Sequence, residues 1–118
     1  MQAETLAKIE VIQSSIDLLR KHVDFDSAKA RLEDMELRTT AADFWDDRQV
    51  AQRIMREKNQ LERQIQTITS LQKEMEDAID LIELGTVECD AEIVTEAESA
   101  LGSLVEIAEK HQLESLLS

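Results

Sequence analysis

The chain of 118 residues contains no proline, two glycines and only three aromatic side chains, Phe25, Phe44 and Trp45. A β-sandwich or barrel needs many tight turns and many aromatic or β-branched pairs, so this scarcity argues against a β-fold. Cys89 is the only cysteine, which excludes an intrachain disulfide and leaves a free surface thiol as its plain reading. No apolar run approaches the roughly 18–20 residues of a membrane-spanning helix, and the N-terminus lacks a basic region followed by an apolar one, as expected of a cytoplasmic protein with no membrane partner. Cations are scarce too, at 13 Lys and Arg against 26 Asp and Glu, a formal net charge of -13. The imbalance is steepest in residues 85–118, which hold one positive and eight negative side chains. Such a surface repels phosphate backbones, so direct nucleic-acid binding is not expected, whereas docking to a basic protein is permitted. Plain solubility would also account for the charge.

What the chain does have is helix-forming residues arranged with helical periodicity. Ile54, Leu61, Ile68, Met75 and Ile82 recur at steps of seven, Ile65, Leu71, Ala78 and Ile79 widen the stripe, and neither glycine nor proline interrupts residues 47–84. If helical throughout, those 38 residues form a rod about 57 Å long. Ordering its backbone costs roughly 1–2 kcal/mol per residue, while each buried apolar side chain returns about 1.5–3 kcal/mol, so the rod needs partner helices.

Those partners are legible on both sides of it. Leu6, Ile9, Ile12, Ile16, Leu19 and Val23 predict a first helix over about residues 4–22, and Phe25, Ala28, Leu32 and Met35 a short second one over about 25–37, with Asp24 or Asp26 able to cap it. Asp43 or Asp46 can cap the long helix, and Gly85 is the natural left-handed residue after its end. Asp90 then caps a fourth helix, about 91–117, on whose inner face lie Val94, Ala97, Leu101, Leu104, Ala108 and His111. Gly102 interrupts that helix, as it would where another helix passes closely. The expected fold is all-α and occupies residues 1–118 as one helical domain: an antiparallel hairpin of the long and last helices, with helices one and two against its open end. The chain stops at Leu116-Leu117-Ser118 in mid-pattern, which suggests the first domain of something longer.

Catalytic chemistry is hard to find in this sequence. Neither His22 nor His111 follows a glutamate by three or four positions, which excludes the Glu-x-x-His metal pattern of helical bundles. Ser14, Ser15, Ser27 and Ser99 lack a Gly-x-Ser-x-Gly turn, and there is no glycine-rich phosphate loop. No catalytic residue, metal ligand or cofactor site is expected, and the clustered Asp43, Asp46 and Asp47 are better explained as helix caps. Phe44-Trp45 admits two placements, an exposed anchor for a partner or a plug between the long helix and helices one and two. The shortage of aromatics favours the plug.

Taken in order, Leu19-Arg20, Val23-Asp24-Phe25-Asp26, Lys29-Ala30-Arg31-Leu32-Glu33, Asp43-Phe44-Trp45-Asp46-Asp47 and Ala51-Gln52 resemble the N-terminal helical domain of bacterial peptide chain release factor 2, the class that reads UGA and UAA stop codons. The resemblance covers essentially the whole chain, and the Phe-Trp element separates this class from the sister factor that reads UAG. The family's Gly-Gly-Gln loop for ester hydrolysis and Ser-Pro-Phe loop for codon reading do not occur here. The resemblance therefore implies an accessory module in translation termination. It would act as a monomer facing the protein component of the large ribosomal subunit's stalk base, with no chemistry of its own. No family motif assigns contact residues. Geometry alone suggests the hairpin tip, Gly85, Thr86, Val87, Glu88, Cys89 and Asp90. A free-standing coiled-coil adaptor or dimerisation module would use the same heptads.

Overall fold

A computed structural model describes residues 1–118, and these form four helices with no strand: α1 (Ala3–Val23), α2 (Phe25–Thr39), α3 (Arg48–Val87) and α4 (Ala91–Leu117). At 40 residues α3 is the spine. The rise of an α-helix gives it a length of about 60 Å, and the longest dimension of the molecule is 62 Å.

All five heptad residues, from Ile54 to Ile82, are buried, together with Ala51, Leu71 and Ala78 of the same helix. The cover comes from within the chain. Helix α4 returns along the C-terminal part of α3 and buries Ala97, Leu101, Leu104 and Ala108. Helix α1 packs against both and contributes Ile12, Ile16 and Leu19 to one twelve-residue core. Beside that core Ser15, only 2% exposed, donates its hydroxyl proton to the half-buried Gln112 Oε1 at 2.7 Å and ties α1 to α4. Leu6 does not join the inner face of α1 and stands half exposed, whereas Thr5 is buried in its place.

Helix α4 has only 27 residues, so it leaves about a dozen residues at the start of α3 uncovered. Helix α2 fills that gap. It packs on α3, where Ala28 of α2 and Ala51, Ile54 and Leu61 of α3 are buried outside the larger core. Ala28, near the start of α2, and Ala51, near the start of α3, have no exposed surface. The molecule is therefore three helices thick at the tip-side end and two helices thick at the other, which produces its 62 × 30 × 19 Å shape.

The joints differ from expectation in three places. Asp24 adopts a left-handed conformation, φ 53°, between α1 and α2, and its side chain caps nothing. Its N–H closes α1 on Lys21 O, and its carbonyl accepts the Ala28 N–H at 2.8 Å as α2 begins. Arg20 spans this joint, its guanidinium lying 4.0 Å from the Phe25 ring centroid. At the start of α3 the cap is Asp47, whose carboxylate accepts the Val50 N–H at 3.2 Å, so neither Asp43 nor Asp46 has that role.

The third correction is at Gly85. Helix α3 runs on to Val87, and the left-handed residue is Cys89, φ 55°, while Gly85 is buried inside the helix. Asp90 N–H bonds to Gly85 O at 2.8 Å and Cys89 N–H to Thr86 O at 3.3 Å, the paired closure of a Schellman turn. A Cβ on Gly85 would lie 2.8 Å from Val94 Cγ2 and 3.2 Å from Asp90 O. The glycine is thus required by the close return of α4, and the backbone angle is left to the cysteine.

Candidate functional site

Folding brings His22 and His111 to the walls of one depression at the base of the hairpin, with Arg63 and Glu114 beside them. The imidazole of His111 lies 3.5 Å from the Glu114 carboxylate on its own helix. No three His, Cys, Asp or Glu side chains converge as a metal site would require. Every buried side-chain nitrogen and oxygen has a hydrogen-bond partner within the protein. One titrating group departs clearly from its ordinary behaviour: Lys73 is raised above 10.5, first by its hydrogen bond to Asp77 and then by that carboxylate's charge. The pair is solvent-exposed at 2.7 Å on one face of α3, so the stabilisation it contributes is fully present at neutral pH and is lost only as pH rises through the raised value.

The remaining candidates are surfaces. At the tip, Gly85 is buried and Asp90 half-buried, while Thr86, Val87, Glu88 and Cys89 are exposed. Val87 is 78% exposed, an apolar side chain standing at the far end of the rod. Asp90 is occupied locally, its carboxylate accepting the N–H groups of Glu92 and Ile93 as the cap of α4. The part of this segment free to meet a partner is therefore Thr86–Cys89.

The opposite end carries the Asp43-Phe44-Trp45-Asp46 element on the loop that joins α2 to α3. Backbone bonds from Phe44 N to Ala41 O and from Asp46 N to Asp43 O wind this loop into consecutive tight turns. Phe44 is half-buried, but Trp45 is 59% exposed and meets Phe44 edge to face at 5.2 Å between ring centroids. The expected plug is thereby overturned for the tryptophan. Ala51 and Ile54, at the start of α3, are buried while the indole stays largely in solvent.

One surface was not anticipated. Leu81, Leu84 and Ile107 stand 44–51% exposed beside the α3/α4 seam. The signal for it was available in the sequence, since all three are apolar residues that fall outside the buried heptad and its α4 counterpart.

Comparison with known proteins adds to this geometry. Residues 28–118 match the PCRF domain model. Curated relatives called peptide chain release factor 2 match along nearly the full chain: 44% identity over 99% of it in Roseobacter denitrificans, 40% over 100% in Paramagnetospirillum magneticum and 38% over 99% in Ruegeria sp.. The chain spans about a third of the length of these relatives, 31–32%. The matched span begins at Ala28, the most deeply buried residue of α2, and takes in the whole of α3 and α4. This chain belongs to the PCRF domain family.

Proposed function

We propose that this chain is an accessory helical module of a peptide chain release factor that reads UGA and UAA. Its role is to orient the factor at the stalk base of the large ribosomal subunit. The observation that carries the proposal is the near-complete coverage of the chain by relatives named peptide chain release factor 2. The geometry is compatible with a positioning role. A 62 Å rod braced along its whole length transmits orientation from one end to the other, with exposed side chains at each end. The acidic surface suits a protein partner better than ribosomal RNA. Contact is assigned to the tip, through Thr86–Cys89, with Gly85 and Asp90 shaping the turn. The loop around Trp45 is left to the other end of the factor.

Cys89, free and exposed at the tip, offers the test. A fluorophore placed there is expected to gain anisotropy on titration with large ribosomal subunits and to show no gain with subunits stripped of the stalk-base protein. Glu88→Arg is expected to weaken the interaction several-fold. Equal binding to stripped subunits would overturn the assignment of the partner. Peptide release from loaded ribosomes by the chain alone would overturn the accessory role.

The adaptor alternative loses its main support. The heptad seam that a second copy would have used is buried under α1, α2 and α4 of the same chain.

A further inference from the structure

We propose that the groove between α3 and α4, on the hairpin face that α1 leaves open, is a docking site for a basic amphipathic helix of a partner protein. Its lining includes Leu81, Ala100 and Ile107, with Ala78, Ala97 and Leu104 at the floor and no residue of α1. Leu84 continues the α3 side toward the tip, one turn beyond Leu81, and is 51% exposed. The apolar groove therefore extends over several helical turns, and a helix presenting side chains at i, i+3, i+4 and i+7 matches that form.

Charge selects the occupant. Glu74 and Asp77 line the groove on the α3 side, Glu88 stands one turn beyond Leu84, and Glu96 one turn before Ala100. Opposing cations are few: Lys73 is held by Asp77 at 2.7 Å, and Lys110 lies one turn past Ile107. Below Ile107 the groove continues as a polar trough past Glu74, Thr67 and Arg63 to His111, so its apolar and acidic part is the tip-side half. A second copy of this chain, itself carrying a net charge of -13, would bring like charge against like, and nucleic acid or an anionic membrane would do the same. A helix with leucine-like anchors on one face and lysine or arginine along its flanks satisfies floor and rim together. The inference concerns the groove and does not rest on the stalk-base reading, which concerns the tip.

The test titrates the isotope-labelled chain with a synthetic helical peptide of leucine and lysine, its leucines at i, i+3, i+4 and i+7, followed by NMR. The expected result is saturable binding with shift changes centred on Leu81, Leu84, Ala100, Ser103 and Ile107. The double variant Leu81→Gln, Ile107→Gln is expected to lose about tenfold in affinity. Both side chains are 44–46% exposed, so the variant keeps its fold, which thermal unfolding checks. Four results would each overturn the proposal. These are no saturable binding, equal binding of a scrambled peptide of the same composition, undiminished affinity in the folded double variant, and shift changes centred on the Val11, Leu18, Leu113 and Leu116 surface between α1 and α4.

Discussion

The two glycines are the same residue type in two helices, yet they call for opposite predictions. Alanine at Gly102 would meet only the far end of the Lys8 side chain, at 3.9 Å. The expectation that a neighbouring helix passes closely there is not met, and what remains is the helix-propensity cost of glycine. Gly102→Ala is therefore expected to stabilise the protein by about 0.5–1 kcal/mol. At Gly85 the new methyl group would collide with Val94 and crowd the Asp90 carbonyl. Gly85→Ala is expected to destabilise by about 1–3 kcal/mol through overpacking, a loss larger than the propensity gain. Urea denaturation of the two variants beside the parent decides both signs, and stabilisation by both substitutions would show that the tip is looser than its geometry states. Trp45 teaches a similar lesson about the single residue. Its hydrophobicity and the scarcity of aromatics placed it in the core, whereas it stands 59% exposed on the loop between α2 and α3.

The elements depend on their ends as well as their buried stripes. Asp47 and Asp90 hold the first turns of α3 and α4 through side-chain bonds to backbone N–H groups, at 3.2 Å for Asp47 and 3.1 and 3.2 Å for Asp90. Replacing either with alanine is expected to cost about 1 kcal/mol, while Asp43→Ala and Asp46→Ala stay within a few tenths. Thermal unfolding of the four variants separates the capping aspartates from their neighbours, and equal losses across the set would refute the assignment of the caps. The unequal lengths of α3 and α4, 40 and 27 residues, also explain why α2 exists. Without it, Ala51, Ile54 and Leu61 would face water at the start of the spine. The short series Phe25, Ala28, Leu32 and Met35 predicted a second helix, and its place on the exposed end of α3 follows from the length mismatch.

For the whole molecule the dominant quantity is charge. At pH 7 each chain carries a formal net charge of -13, and that repulsion opposes self-association through the exposed leucines of the α3/α4 and α1/α4 surfaces. Acidification toward the isoelectric point near 4.4 protonates carboxylates and removes the repulsion. Light scattering is expected to show net repulsion at pH 7 and net attraction near pH 4.4. Attraction already present at neutral pH and low salt would mean that charge does not govern the contacts between copies.

Much of the architecture was open to reading because helical periodicity is a local property. A seven-residue step of isoleucine, leucine and methionine defines a buried stripe wherever the helix lies, and all five of those positions are buried. The hairpin followed for the same reason, since a short break between two amphipathic segments returns the second along the first. The order of residues from Leu19 to Gln52 likewise points to the family, because a motif is read along the chain and needs no contact between distant segments. Tertiary structure decided what depends on approach between distant segments. It carried α3 past Gly85, where Val94 comes too close for a side chain, put the left-handed residue at Cys89, and left Trp45 exposed on the loop between α2 and α3. It also left Leu81, Leu84 and Ile107 together on an open face. These outcomes rest on distances between residues far apart in the chain, and spacing along a sequence carries no measure of such distances.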